Sequence, residues 1–204
     1  MIGIVDYGLG NTQAFVNIYK QLNIPVFLAK TKNDLSKATH IILPGVGSFD
    51  WAMDRLNDSG MRSELDNLVL NSNLPVLGIC IGMQIMSLKS SEGKSHGLGW
   101  INAEVKKLDN SKSNNKIRLP HMGWNTINIT DNIDIFHGIE TEARFYFLHS
   151  YFVEPVNLSD ILATSEYGCN FTSAIRNKKK FGVQFHPEKS HTWGTQVLKN
   201  FSQI

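Results

Sequence analysis

The sequence predicts one α/β domain spanning residues 1–204, built on a single open mixed sheet, largely parallel, flanked by helices. Three observations predict it. Through the first half, short apolar runs rich in β-branched residues alternate with helix-compatible stretches, the pattern of βαβ units. From Trp100 onward the chain changes to closely spaced alternating runs with polar breaks. No internal repeat or low-complexity linker divides the 204 residues, a length that suits one core.

In order, the expected strands of the first half are Gly3–Asp6, Val26–Ala29, His40–Leu43 and Val76–Ile79, each bounded by turn residues. Between and after them, helices are expected near Thr12–Gln21, Asp50–Leu56, Met61–Leu70 and Ile81–Leu88. The second half offers strands at Ile101–Val105, Thr126–Ile129, Phe145–Leu148, Tyr151–Val153, Ile161–Thr164, Thr172–Ile175 and Phe181–Gln184. Asn177-Lys178-Lys179-Lys180 reads as a solvated hairpin turn, and a helix from about Thr192 to Phe201 closes the chain.

Composition narrows the functional classes. Apolar residues make up 42% and charged residues 19%, as in a folded globular protein. Lys plus Arg number 20 against 18 Asp plus Glu, a balance that argues against nucleic acid as the main partner. The N-terminus opens on a strand-like run with no signal-peptide pattern, and no apolar stretch approaches the roughly 18 residues of a membrane span, so no membrane partner is expected. The two cysteines, Cys80 and Cys169, form neither a disulfide framework nor a CxxC site, which fits a cytoplasmic protein with reduced thiols. The histidines are scattered, with no HExxH motif or Cys/His cluster, so no metal site is expected.

The segment Gly78-Ile79-Cys80-Ile81-Gly82 carries the most chemical information. An apolar strand runs into Cys80 and a helix-compatible run follows at once, with glycine two residues before and two after. This is a nucleophile elbow with cysteine in place of serine. Glycine is needed where a side chain would collide with neighbouring backbone. A thiol at a helix N-terminus is favoured as the thiolate, and the N–H of Ile81 can face a developing oxyanion. Read locally, Cys80 also fits a buried apolar thiol. Cys169, in the turn-like Tyr167-Gly168-Cys169-Asn170, has no such frame and reads as inert.

A thiol hydrolase needs a base and a group to orient it. His186 follows an alternating strand, at the C-terminal end where open α/β sheets place their sites. Pro187 stiffens the turn, and Glu188 is two residues on, facing the same way if the segment is extended. Its carboxylate could fix the imidazole tautomer, leaving the other nitrogen for Cys80. Alone, His-x-Glu also fits a surface pair at a strand end.

Taken together, the elbow with Gln84 four residues on, the Pro44-Gly45-Val46-Gly47 loop and His186-Pro187-Glu188 resemble the class I, triad-type glutamine amidotransferases. Asp6-Tyr7-Gly8-Leu9-Gly10-Asn11, Pro120-His121-Met122-Gly123-Trp124-Asn125, His149-Ser150-Tyr151 and Gly182 to Ser190 narrow the resemblance to the glutaminase subunits of imidazole glycerol phosphate synthases. These segments span most of the chain in the expected order.

The resemblance implies hydrolysis of L-glutamine to L-glutamate and ammonia through a thioester on Cys80, with His186 and Glu188 completing the triad. The ammonia would pass to a (β/α)8-barrel cyclase subunit in a heterodimer, forming imidazole glycerol phosphate and aminoimidazole carboxamide ribotide in histidine biosynthesis, with no cofactor. The oxyanion hole would use Ile81 with Val46 and Gly47. Gln84, His149, Ser150 and Tyr151 would contact the substrate. Asn11, Met122, Gly123 and Trp124 match the face that meets the cyclase, although Trp124 could equally be a core residue. Low activity without the partner is also implied. The loop Ser90–Gly99 keeps the family's acidic, glycine-containing character but is short and polar. Two readings stay open: a paralogue supplying ammonia for amidino sugars of surface polysaccharides, and a non-catalytic binding subunit.

Overall fold

A computed structural model describes residues 1–109, 118–130 and 134–204. The first half is a succession of parallel strands and helices. It comprises β1 (Ile2–Val5), α1 (Thr12–Gln21), β2 (Val26–Ala29), α2 (Lys32–Leu35), β3 (His40–Leu43), α3 (Phe49–Asp58), α4 (Arg62–Asp66), β4 (Val76–Ile79) and α5 (Ile81–Ile85). The second half contributes β5 (Lys89–Ser90), β6 (Ala103–Lys107), β7 (His121–Thr126), β8 (Asn128–Ile129), β9 (Arg144–His149), β10 (Tyr151–Pro155), β11 (Ile161–Tyr167), β12 (Cys169–Asn177), β13 (Lys180–Val183) and α6 (His191–Phe201).

The main sheet has eight strands in the order β2-β1-β3-β4-β13-β12-β11-β8. It is parallel from β2 to β13 and antiparallel beyond. Strands β1 and β4 are apolar and buried along their length, as is β3 after its half-buried first residue His40, as suits central parallel strands. On the covering layers α1 packs with α6, and α3 with α5. Two smaller sheets, β10-β6-β5 and the ribbon β7-β9, complete the fold.

The expected open mixed sheet with flanking helices is therefore present. Several boundaries differ for physical reasons. The helix expected over Met61–Leu70 is α only to Asp66 and continues as a π turn over Asn67–Asn71, closed by Ser72 N–H donating to Asn67 O at 3.1 Å. The helix expected over Ile81–Leu88 stops at Ile85, because Leu98 N–H takes Ile85 O at 2.7 Å and Ile101 N–H takes Met86 O at 3.0 Å. The strand expected over Thr126–Ile129 is split: Thr126 ends β7, and only Asn128–Ile129 pairs with β11. The hairpin expected at Asn177–Lys180 joins β12 to β13, with Lys178 at φ +57°.

Among the described residues, no helix is long and apolar enough to cross a membrane. No group of three His, Cys, Asp or Glu side chains among them is arranged to hold a metal ion.

Candidate active site

Cys80 stands between β4 and α5 at φ +53°, ψ −110°, a conformation that L residues rarely adopt. Its neighbours explain how the strain is held. Cys80 N–H donates to Val183 O at 2.8 Å, fastening the elbow to β13. A Cβ on Gly82 would lie 1.9 Å from Leu43 O, and one on Gly78 would lie 2.7 Å from Gly82 O. Gly45, in the facing loop, would place a Cβ 2.4 Å from Gly82 N. The elbow and the Pro44–Gly47 loop can therefore approach this closely only as glycine backbone. Tyr7 reinforces the loop from behind: its buried hydroxyl donates to Pro44 O at 2.7 Å. Helix α5 is only five residues long, so its dipole contributes less to the thiolate than a longer helix would.

His186 lies just beyond β13. Its N–H donates to Tyr146 O at 2.8 Å. The Ser190 hydroxyl donates to His186 O at 2.6 Å and accepts from Tyr146 N–H at 3.0 Å, so Ser190 pins the His-Pro-Glu turn against β9. His186 Nδ1 is 2.8 Å from Glu188 Oε1, with both side chains 3% exposed. Burial alone would lower the imidazole pKa. Hydrogen bonds to Cys80 and Glu188, with the electrostatic attraction of both for the imidazolium, overcome it and raise the value from 6.5 to about 10.

The raised value sets a sign. A histidine whose folded-state pKa is raised stabilises the fold fully below about 6.5, and that contribution is lost as the pH climbs through about 10. Glu188→Gln removes one cause of the shift. It is expected to cost more stability at mildly acidic pH than near pH 10, as measured by urea unfolding. Equal losses at both ends would contradict the assignment.

One cavity of about 300 Å³ brings the predicted site residues together. Val46, Gly47, Cys80, Ile81, Gln84, His149, Ser150, Tyr151 and His186 all line it, with Glu188 behind His186. Gln84 is 1% exposed rather than a surface helix polar. Its Nε2 donates to Tyr151 O at 3.0 Å, and its Oε1 is buried with no hydrogen-bond partner among the described residues. His149 Nδ1 lies 2.9 Å from the same Tyr151 O, which can only accept, so Nδ1 carries the proton. Its Nε2 then accepts from His121 Nδ1 at 3.1 Å. Burial lowers His149 to about 3, helped by the charges of His121 and His186, and lowers His121 to about 4. These two histidines are thus neutral at physiological pH.

Sequence reasoning did not single out four further features. Glu92 lines the cavity from the loop after β5, anchored by Phe49 N–H donating to its Oε2 at 2.8 Å. That loop is shaped by Asp50, whose carboxylate accepts N–H bonds from Lys94 and Ser95. The acidic character of Ser90–Gly99 was the available signal, but the contacts that aim Glu92 come from α3, some 40 residues away in sequence. Pro120 and Leu148 also line the cavity, and Leu148 O faces Cys80 Sγ at 3.8 Å. Gln184 is wholly buried beside the sulfur.

The expected interface residues lie outside the cavity. Asn11 is exposed and caps α1, accepting from Ala14 N–H at 3.2 Å. Met122 is 65% and Trp124 38% exposed on β7, so Trp124 is not a core residue. Its ring stacks on His191 at 5.1 Å. Gly123 between them sits at φ +137°. In the β7–β9 register Met122 faces Leu148, which carries this apolar surface to the cavity wall.

The sequence profile "Glutamine amidotransferase class-I" matches residues 3–204. The chain is 54% identical to "Imidazole glycerol phosphate synthase subunit HisH" of Bdellovibrio bacteriovorus, over 100% of both chains. It is 47% identical to the protein of the same name from Leptospira interrogans, again over 100% of both. Among solved structures, a glutamine amidotransferase superposes with a TM-score of 0.76 at 18% identity, covering 99% of this chain and 97% of that one. PurLQS from Thermotoga maritima superposes with a TM-score of 0.75 at 14% identity, with the same coverage. At these identities the structural likeness is one of fold. A profile matched from residue 3 to the C-terminal residue, with full-length relatives at about half identity, places this chain in the class-I glutamine amidotransferase family.

Proposed function

We propose that this chain is the glutaminase subunit of an imidazole glycerol phosphate synthase, with Cys80, His186 and Glu188 as its triad. The observation that carries the site is geometric: a strained cysteine elbow and a buried His–Glu pair open on one cavity that also contains a glycine loop. The synthase assignment is supported by relatives of that name at 54% and 47% identity over their full length.

Cys80 Sγ attacks the carboxamide carbon of L-glutamine, its proton passing to His186 on the nitrogen that Glu188 does not hold. The oxyanion is met by Ile81 N–H and by backbone N–H of the Val46–Gly47 stretch. His186 then gives its proton to the departing ammonia, leaving a thioester. Water, deprotonated by His186, attacks the thioester and releases L-glutamate and the thiolate. Gln84, Ser150 and Tyr151 hold the substrate's polar groups. Glu92 supplies a carboxylate for the α-ammonium group. Ammonia passes to a (β/α)8-barrel cyclase docked over Asn11, Met122, Gly123 and Trp124.

The test mixes the purified chain with a candidate cyclase, its ribulose-phosphate precursor and glutamine carrying nitrogen-15 in the amide. The label is expected in the imidazole product, with glutamate release rising when cyclase and precursor are added. Label that stays in free ammonia, with turnover indifferent to the cyclase, would overturn the pathway assignment.

A further inference from the structure

Two buried carboxamides lie in series between the substrate wall and the sulfur. Gln84 Nε2 donates at 3.0 Å to Tyr151 O and at 3.0 Å to Gln184 Oε1. Gln184 Nε2 in turn lies 3.5 Å from Cys80 Sγ. Their orientations are not free. Tyr151 O is a backbone carbonyl and can only accept, so Gln84 must present its nitrogen there. The second hydrogen of that nitrogen points at Gln184, which must then present its oxygen. Only the Gln184 nitrogen is left for the sulfur. A flipped Gln184 would set nitrogen against nitrogen at a residue that is 0% exposed, leaving a buried donor unsatisfied.

We propose that Gln184 is a further catalytic residue of this enzyme: its Nε2–H donates to Cys80 Sγ and stabilises the sulfur as a thiolate. This rests on the reading of Cys80 as the nucleophile. The donor acts when the sulfur carries charge, before attack and again when it leaves the second tetrahedral intermediate. No bond to Gln184 forms or breaks; the thiol proton still travels to His186. Leu148 O, at 3.8 Å, pulls the other way, since a carbonyl accepts from the thiol and repels the thiolate. Gln184 offsets that acceptor from the β13 side. Because Gln84 lines the cavity, the series also joins a substrate-contacting amide to the reacting atom.

Two variants separate the parts. Gln184→Glu keeps shape and the acceptor for Gln84 but puts an acceptor where the donor faced sulfur. Gln184→Met removes both bonds at similar length. Iodoacetamide alkylation of Cys80 is followed against pH, with kcat and KM for glutamate release measured in the complex with the cyclase. The other groups facing the sulfur are unchanged: His186 backed by Glu188, Tyr7 from the β1 side, His149 from β9, and Glu92 across the cavity. Alkylation at neutral pH is expected to fall roughly tenfold in Gln184→Met and further in Gln184→Glu, the size of one hydrogen bond to a charged group. Its pH midpoint is expected to move upward in both. In Gln184→Glu, kcat falls while KM stays within about twofold; in Gln184→Met both change. Folded variants that alkylate and turn over like the parent would overturn the proposal.

Should neither variant fold, the parent still decides. The nitrogen-15 resonance of the Gln184 side chain must move when Cys80 ionises and again when Cys80 is alkylated; a resonance indifferent to both overturns it. If alkylating Cys80 leaves glutamate release intact, the triad reading fails instead, and the two failures are told apart.

Discussion

Serine in place of Cys80 is expected to lower glutamate release by at least about 10⁴-fold with the cyclase present. The elbow holds the side chain at the mouth of α5, 3% exposed, on a backbone at φ +53°. A hydroxyl there would meet the same His186, but its intrinsic pKa is far higher than a thiol's, so handing its proton to the imidazole is far less favourable. Cys169, at the β11–β12 turn opposite Tyr167, lies in a different part of the sheet and cannot substitute. Glutamate release and thioester trapping after rapid mixing check this. Release at the parent rate, with the variant folded, would remove Cys80 from the mechanism.

Alanine at Gly82 is expected to cost about 3 kcal/mol or more and to abolish activity. The added carbon would lie 1.9 Å from Leu43 O and 3.2 Å from the Pro44 carbonyl carbon. Leu43 ends β3 at the centre of the sheet, and Pro44 begins the glycine loop, so neither can withdraw without displacing the sheet or the proposed oxyanion donors. Gly60→Ala is the control. Its φ of +69° strains any other residue, but nothing lies within 4 Å of its added carbon. It should cost only about 1 kcal/mol. Urea unfolding of both variants checks the contrast, and similar midpoints would show that crowding at the elbow is not what demands glycine there.

Local pattern made much of this molecule legible. The strands Val26–Ala29, His40–Leu43 and Val76–Ile79 and the helix Thr12–Gln21 have the boundaries their local patterns suggest, short apolar runs between turn residues for the strands and an amphipathic stretch burying Phe15, Val16 and Tyr19 for the helix. The elbow and His186–Glu188 were legible because their chemistry is packed into a few adjacent residues. What escaped depends on distant partners. Strand β7, His121-Met122-Gly123-Trp124-Asn125-Thr126, has no apolar alternation; it buries a histidine and exposes a methionine, and only pairing with β9 makes it a strand. Gln184 and Glu92 look like ordinary polar residues in sequence. Their roles depend on contacts with Gln84, Cys80 and Phe49, each more than 40 positions away.

The two-stranded ribbon β7–β9 belongs to neither larger sheet. Its exposed face bears Met122 and Trp124. Two carbonyls of β9 spaced two residues apart, Tyr146 O and Leu148 O, reach His186 N–H and the Cys80 sulfur. Residues two apart on a strand travel as one rigid segment. β9 therefore carries together the acceptor of the His186 backbone N–H and the carbonyl that faces the Cys80 sulfur. The backbone behind the base and the sulfur of the nucleophile thus share one support, a strand whose ribbon partner turns Met122 and Trp124 to the outer surface.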